Sequence, residues 1–206
     1  VRDKAGNTAS KSIDVKNIDR TGPNIASFGP GNTVWTKEGL TLYVDASDGG
    51  SGLASKAFCY DGVNYVSSSE FPITDNGYYT VSVKDNLGNI STKSVTIDNI
   101  DRRPPVISGI SKSHDSWTSS DVTIKVNASD DVSGLADAAF SFDGGVSYQG
   151  SNEFTVSENK AVNICVMDKA GNVATASSNV SLIDRDGPVI SAFAKNTDIW
   201  TNSAVT

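Results

Sequence analysis

The chain has 206 residues, of which 37% are hydrophobic and 20% charged, a composition typical of a globular protein with one or two domains. Its formal net charge of −7 repels phosphate backbones and anionic lipid surfaces, so nucleic acid is excluded as an expected partner. No apolar stretch reaches the roughly 20 residues that cross a bilayer, and the first residues form no leader. We therefore expect a soluble excerpt of a longer chain, without membrane insertion.

The motif of the first seven residues, VRDKAGN, recurs with substitutions as VKDNLGN from Val83 and as VMDKAGN from Val166. Other phrases keep the same spacing, among them IDRTGP, IDRRPP and IDRDGP, and the dipeptide Trp-Thr. Similarity at a fixed period indicates a repeat architecture. The sequence therefore predicts two full repeats, 20–101 and 102–184. Residues 1–19 are interpreted as the C-terminal strands of a preceding repeat, and residues 185–206 as the N-terminal strands of a following one.

Within each repeat, apolar residues alternate with polar ones. Leu40, Leu42 and Val44 predict an early strand, and Val81 and Val83 predict a later one. Asp-Gly and Asn-Gly pairs between such strands are typical hairpin turns, and no window has helical spacing. With about seven short strands in roughly 83 residues, the pattern predicts an all-β fold of tandem immunoglobulin-like antiparallel β-sandwiches, arranged end to end.

The combination of repeated phrases resembles a known group of proteins. It consists of W-T, ASD-x-x-SGL, an aromatic run into Asp-Gly, and V-x-D-x-x-GN ahead of I-D-R, and it extends over the whole chain. Together these phrases resemble the tandem bacterial Ig-like (Big-type) repeats of large Gram-positive cell-surface and adhesin proteins. The resemblance implies a secreted, cell-surface or cell-wall location and a non-catalytic role.

An Ig-like topology places the B–C loop, the F–G loop and the start of strand A at one end of the sandwich. This would gather acids at the entrance to each repeat: Asp19, Asp48 and Asp85 in the first, and Asp101, Asp130, Asp131 and Asp168 in the second. Carboxylates of this kind suit Ca²⁺. Calcium would stiffen the junctions, as it does in cadherins and in some of the bacterial Ig-repeat adhesins that the chain resembles. The competing interpretation is that the acids are turn residues, with Arg20, Arg102 and Arg185 as counter-ions.

A second candidate site consists of tyrosines in the first repeat. Tyr78 stands on the predicted solvent face of a strand, where the second repeat has Ala161, and it is close in sequence to Tyr43, Tyr60 and Tyr65. A tyrosine-rich sheet face suits a host protein or glycoprotein partner. The alternative is that these rings form cross-strand pairs that stiffen the sheet.

No catalytic site is predicted, since the single histidine, His114, has no recurring acid or nucleophile around it. Three functions remain open: a semi-rigid spacer or adhesin stalk, a binding module for a host immunoglobulin, matrix protein or mucin, and an accessory module of an extracellular carbohydrate-active enzyme. The spacer is favoured, because the prolines in DRTGP and DRRPP restrict the linkers. We expect a monomeric segment of a longer protein, with calcium as the one candidate cofactor.

Overall fold

The computed structural model describes residues 1–192, 194 and 200–204, and its regular structure there is entirely β-strand. In this part of the chain no helix is long and apolar enough to cross a membrane. The chain divides into two compact units: residues 1–105, 129–137 and 167–173 form the first, and residues 106–128, 138–166 and 174–206 the second. These units do not follow the predicted repeat boundaries, which stay a prediction.

The first repeat has seven strands, in two antiparallel sheets. The strands are β1 (Asn24–Pro30), β2 (Leu40–Ser47), β3 (Leu53–Cys59), β4 (Tyr65–Val66), β5 (Glu70–Ile73), β6 (Gly77–Asp85) and β7 (Ile90–Ile97). One sheet has the order β1-β2-β5 and the other β4-β3-β6-β7. This division of strands is that of an immunoglobulin-like sandwich.

The core of this sandwich is supplied by the alternating residues that the sequence singled out. Leu42, Val81 and Val83 are fully buried, and they pack in one cluster with Phe28 from β1 and Phe58 from β3. Their sequence neighbours on the same strands face outward, because side chains alternate between the two faces of a sheet. Burial of one face of each sheet therefore sets the register of both.

The second repeat has six strands with the same division. They are β8 (Val106–Lys112), β9 (Val122–Ser129), β10 (Leu135–Ser141), β11 (Glu153–Val156), β12 (Lys160–Asp168) and β13 (Val173–Val180), in sheets β11-β9-β8 and β10-β12-β13. In place of a counterpart to β4 there is a single bridge between Phe140 and Gln149. The additional glycine in the loop FDGGVSY accounts for the difference, because it lengthens the turn before the pairing begins. The predicted all-β, Ig-like sandwich fold is confirmed.

The flanking segments contain little regular structure. Residues 1–19 form one antiparallel bridge, between Arg2 and Thr8. Of the predicted strands in 185–206, residues 193, 195–199, 205 and 206 lie outside the described residues, and the others are not in strands. The assignment of both segments to further repeats stays a prediction.

Candidate functional site

The loop after β6 is built around one carboxylate. Asp85 Oδ1 accepts hydrogen bonds from the backbone N–H groups of Leu87 and Asn89, both at 2.8 Å, and Oδ2 accepts one from Asn89 Nδ2 at 2.6 Å. Gly88 donates its N–H to the carbonyl of Asp85 and has a φ of 87°, a conformation that glycine adopts without strain. The phrase Asp-x-x-Gly-Asn is thus a self-contained turn.

The same turn forms at the two other copies of the phrase. Asp168 accepts from the N–H and Nδ2 of Asn172, both at 2.8 Å, and Asp3 accepts from the same two groups of Asn7 at the same distances. The copy at Asp3 is exposed to solvent, whereas the copy at Asp168 is buried. The phrase therefore folds by its own hydrogen bonds, whatever surrounds it.

Two further acids join Asp85 in the first cluster. Asp48, in the loop after β2, accepts the N–H of Gly52 at 2.7 Å through Oδ2. Asp19, in the segment before β1, accepts the N–H of Ser51 at 2.8 Å. One oxygen from each of the three carboxylates lies within 4.8 Å of the others. We call this the first cluster: Asp19, Asp48 and Asp85.

The second cluster repeats this arrangement. Asp130 accepts the N–H of Gly134 at 2.8 Å, and Asp101 accepts the N–H of Ser133 at 3.1 Å. Asp168 completes the set, and the carboxylate oxygens again lie within 4.8 Å of one another. Its members are Asp101, Asp130 and Asp168, so six of the seven acids proposed from the sequence come together as two groups of three.

Asp131 is the exception and does not join the second cluster. It is exposed, whereas Asp130 beside it is half-buried and holds the loop through its hydrogen bonds. Adjacent residues in a tight loop point in different directions, so only one of the two can face the cluster. The prediction that Asp131 lies among the ligands of the second cluster is therefore wrong, because its carboxylate is not one of the three that converge there.

Two of the three counter-ions expected from the sequence, Arg102 and Arg185, pair with other acids. Arg102 Nη1 lies 3.4 Å from Asp75 Oδ1, and Arg185 pairs with Asp121. All four side chains are about half exposed or more. Arg103 is the cation that acts on the second cluster, where its charge contributes to a lowered pKa at Asp101.

Hydrogen bonds keep these carboxylates ionised. The backbone N–H groups of Thr21 and Ser51 hold the pKa of Asp19 far below its usual value. Burial alone would raise the pKa of Asp85 and Asp101, but hydrogen bonds outweigh it, mainly from Asn89 to Asp85 and from Arg103 and Ser133 to Asp101. The pKa values of Asp85 and Asp101 therefore lie below the ordinary range, and these two carboxylates and Asp19 are ionised at neutral pH.

The donor set of the first cluster fits a hard cation. Its three carboxylates supply oxygen ligands, and the buried Oγ of Ser51, in the loop that bonds Asp19, has no hydrogen-bond partner in the described part of the chain. Gly50 leaves room for the acid, because a Cβ there would lie 2.4 Å from Asp19 Oδ2. An open groove of about 1140 Å³ borders Asp19 and Asp48. Ca²⁺ takes six to eight such oxygens, so these residues would be part of its shell.

The four tyrosines do not share a surface. Tyr43 is 47% exposed on β2, in the three-stranded sheet, while Tyr65 and Tyr78 lie on the outer face of the four-stranded sheet. Tyr60 turns toward the core, where its ring stacks on Phe71 with centroids 4.5 Å apart. The predicted single tyrosine face is therefore wrong, because alternation along strands of two different sheets separates its members. Whether any of them binds a partner stays a prediction.

Sequence reasoning missed one pair of residues that fix the chain segments leaving the sandwiches. Asn76 Oδ1 accepts the N–H of Ile100 at 2.9 Å, and its Nδ2 donates to the carbonyl of Ile100 at 2.7 Å. Asn159 does the same for Ile183, with both distances at 2.9 Å. The available signal was that Asn76 and Asn159 occupy the same position of the repeat.

No family model matches the sequence, and a search of curated proteins finds no match. Among solved structures the chain is similar to the fibronectin(III)-like modules of CbhA from Clostridium thermocellum, at 12% identity and a TM-score of 0.37. The likeness covers 84% of this chain and 100% of that one. The fold assignment depends on the strand order and the buried core of each repeat, and not on this likeness.

Proposed function

We propose that this chain is a non-catalytic Ig-like repeat segment of a bacterial extracellular protein and acts as a semi-rigid spacer or adhesin stalk. The repeated phrases support a Gram-positive cell-surface or cell-wall protein, since they resemble the Big-type repeats of such proteins. A spacer holds its two ends at a fixed distance only if the segments that connect its modules have few free torsions. The burial and hydrogen bonding of residues 99–101 are therefore the observation that supports the proposal.

These connecting residues are buried and bonded on several sides. Asn99, Ile100 and Asp101 are 8%, 5% and 2% exposed. Asp101 donates its N–H to the carbonyl of Thr36 at 2.8 Å, and its carboxylate accepts the N–H of Ser133. Asn76 makes two bonds to Ile100, and Asn99 Nδ2 donates to the carbonyl of Val34 at 2.9 Å, so each of the three residues is fixed by partners distant in sequence. Exposed linkers have no such contacts, so this segment favours a stiff connection.

Backbone ¹⁵N relaxation tests the proposal. We expect amide order parameters of about 0.85 for residues 99–103, equal to those of the strands. Asn76→Ala should lower the order parameter of Ile100, because it removes both hydrogen bonds between the Asn76 side chain and the Ile100 backbone. The matched control, Asn159→Ala, should affect Ile183 and leave residues 99–103 unchanged. Order parameters below about 0.6 at residues 99–103 of the unmodified chain would contradict a spacer role.

Calcium binding is a second candidate function, favoured by the recurrence of three converging carboxylates in both repeats. Asp19, Asp48 and Asp85 would hold the cation in the first cluster, and Asp101, Asp130 and Asp168 in the second. A bound Ca²⁺ would relieve the repulsion among the carboxylates and fix the segment before each sandwich.

Titration calorimetry with CaCl₂ on chelator-treated protein tests this candidate. We expect heat of binding and a raised Tm, with both effects weakened by Asp48→Asn and Asp130→Asn. Asp131→Asn is the matched control, because Asp131 lies outside the cluster and should change neither. A Tm that is the same in CaCl₂ and in chelator would exclude the candidate and leave the spacer proposal unaffected.

A further inference from the structure

Asn76 and Gly77 form the only Asn-Gly pair in the sequence. The pair is not a hairpin turn, because β5 and β6 on either side of it lie in different sheets and Gly77 is already the first residue of β6. The φ of Gly77 lies outside the left-handed region, and a Cβ there would lie 3.7 Å from the Tyr79 ring, an ordinary contact. The fold therefore does not require a glycine at position 77.

A glycine after asparagine has a chemical consequence. Its backbone nitrogen can bond to the Cγ of the asparagine and close a five-membered ring, and no Cβ hinders the approach. The reaction is intramolecular, so the nucleophile is always at hand. Gly77 pairs with Ile97 as the terminal pair of the β6–β7 ladder, where fraying frees the N–H at low cost.

The surroundings of Asn76 favour the same attack. The N–H of Ile100 donates to Asn76 Oδ1 at 2.9 Å, so it would stabilise the negative charge that develops on this oxygen when Cγ becomes tetrahedral. Asn76 is exposed and borders an open groove of about 340 Å³, so water reaches the side chain.

We propose that Asn76 is a site of spontaneous deamidation. Hydroxide takes the proton of the Gly77 N–H, and the nitrogen then forms a bond to Asn76 Cγ. The Cγ–Nδ2 bond breaks, and Nδ2 leaves as ammonia after taking a proton from water. A further water molecule opens the cyclic imide at either of its carbonyls and leaves aspartate or isoaspartate at position 76. Water is the one co-reactant, and nothing is oxidised or reduced.

The product would weaken the connection after the first repeat. Asn76 Nδ2 donates to the carbonyl of Ile100 at 2.7 Å, whereas a carboxylate would place an acceptor against that acceptor. Loss of this bond would loosen residues 99–101, so the connection would soften as the protein ages. The loosening rests on the proposed spacer role, but the modification itself does not.

The second repeat contains a matched asparagine without the glycine. Asn159 makes the same two bonds to Ile183 and is also exposed. It is followed by Lys160, the first residue of β12, whose Cβ hinders the approach of its nitrogen to the asparagine Cγ. We therefore expect Asn159 to keep its amide while Asn76 loses it.

Peptide mapping by tandem mass spectrometry tests the proposal on the folded chain, incubated in mildly alkaline buffer. Asn76 should convert at least about tenfold faster than Asn159, with isoaspartate among the products. Gly77→Lys, which copies the second repeat, and Gly77→Ala, whose Cβ has room, should each slow the conversion of Asn76 about tenfold. Lys160→Gly should speed the conversion of Asn159 by a similar factor.

Three results would overturn the modification: equal rates at Asn76 and Asn159, aspartate without isoaspartate, or conversion of Asn76 in urea but not in the folded chain. The ¹⁵N order parameter of Ile100 should fall in the converted chain as it does in Asn76→Ala, and an unchanged value would overturn the loosening. Low order parameters in the fresh chain would instead contradict the spacer role and leave the modification in place.

Discussion

The two carboxylate clusters are made of the same residues at the same positions of the repeat, yet they differ in burial. The clusters differ at one position, because Asp101 is 2% exposed whereas its counterpart Asp19 is half-exposed. The other two positions match, since Asp85 and Asp168 are both 1% exposed and Asp48 and Asp130 are both half-buried. The difference lies in the segment that precedes each sandwich. Asn172 Nδ2 donates to the backbone carbonyl of Asp101 as well as to Asp168.

In the first cluster the corresponding amide, Asn89 Nδ2, bonds Asp85. The loops also differ, since Gly50 stands where the second repeat has Val132. Val132 and Asp101 border a groove of about 340 Å³, whereas Gly50 and Asp19 border a larger one of about 1140 Å³. The Asp-x-x-Gly-Asn turn therefore fixes the position of one acid in each cluster, and contacts of the segment before each sandwich set the burial of another.

Replacement of the acid that precedes each sandwich, Asp19 or Asp101, should show most clearly how much burial contributes to stability. Asp101→Ala leaves the N–H of Ser133, itself 5% exposed, without an acceptor, and should lower the free energy of unfolding by about 2–3 kcal/mol. Asp19→Ala should cost clearly less, because its donors can turn to water. Urea denaturation monitored by tryptophan fluorescence measures both. Equal losses would show that the burial difference has no energetic consequence.

Replacement of the asparagine in each Asp-x-x-Gly-Asn turn should give the next largest difference in stability between the two clusters. Asn172→Ala removes bonds to Asp168 and to the carbonyl of Asp101 in a buried site, and should cost about 1–3 kcal/mol. Asn89→Ala removes the amide bond to Asp85 in a half-exposed site and should cost less. Differential scanning calorimetry of both variants measures the gap. If Asn89→Ala destabilises the chain more, the contact of Asn172 with Asp101 does not stiffen the second cluster.

Much of this architecture follows from the sequence. The strands could be predicted because each buries one face, so apolar residues such as Leu42 and Val81 recur at every second position. The convergence of Asp19, Asp48 and Asp85 could be predicted because strand direction fixes which loops share an end of a sandwich. Both depend on patterns that are local or that topology alone decides.

Other features could not be predicted because they depend on side-chain direction. Adjacent residues such as Asp130 and Asp131 are equivalent in sequence, and only the loop geometry decides which faces the cluster. Tyr60 is polar enough for the surface, yet it stacks on Phe71 at the edge of the core. The hydrogen bonds from Asn76 to Ile100 join the loop between β5 and β6, which lie in different sheets, to the segment after β7, and no periodicity marks such a contact.

The pH dependence of stability should give the smallest difference between the clusters. Asp19, Asp85 and Asp101 all have pKa values lowered in the folded state, so their stabilisation is present above the unfolded pKa of about 3.9 and is lost as pH falls through the folded pKa. In chelator, Tm should therefore decline as pH falls below about 5. Because Asp19 has the most strongly lowered pKa, the loss of its contribution should extend to the lowest pH.

Asp101→Asn and Asp19→Asn test this assignment. Asp101→Asn and Asp19→Asn should each flatten the decline of Tm between about pH 5 and 3, because the unfolded chain takes up protons there while the folded carboxylates stay ionised. Below about pH 3, Asp19→Asn should flatten the decline more than Asp101→Asn, since Asp19 has the more strongly lowered pKa. An Asp19→Asn variant that declines as steeply as the unmodified chain over the whole range would show that the hydrogen bonds from Thr21 and Ser51 do not protect the charge of Asp19.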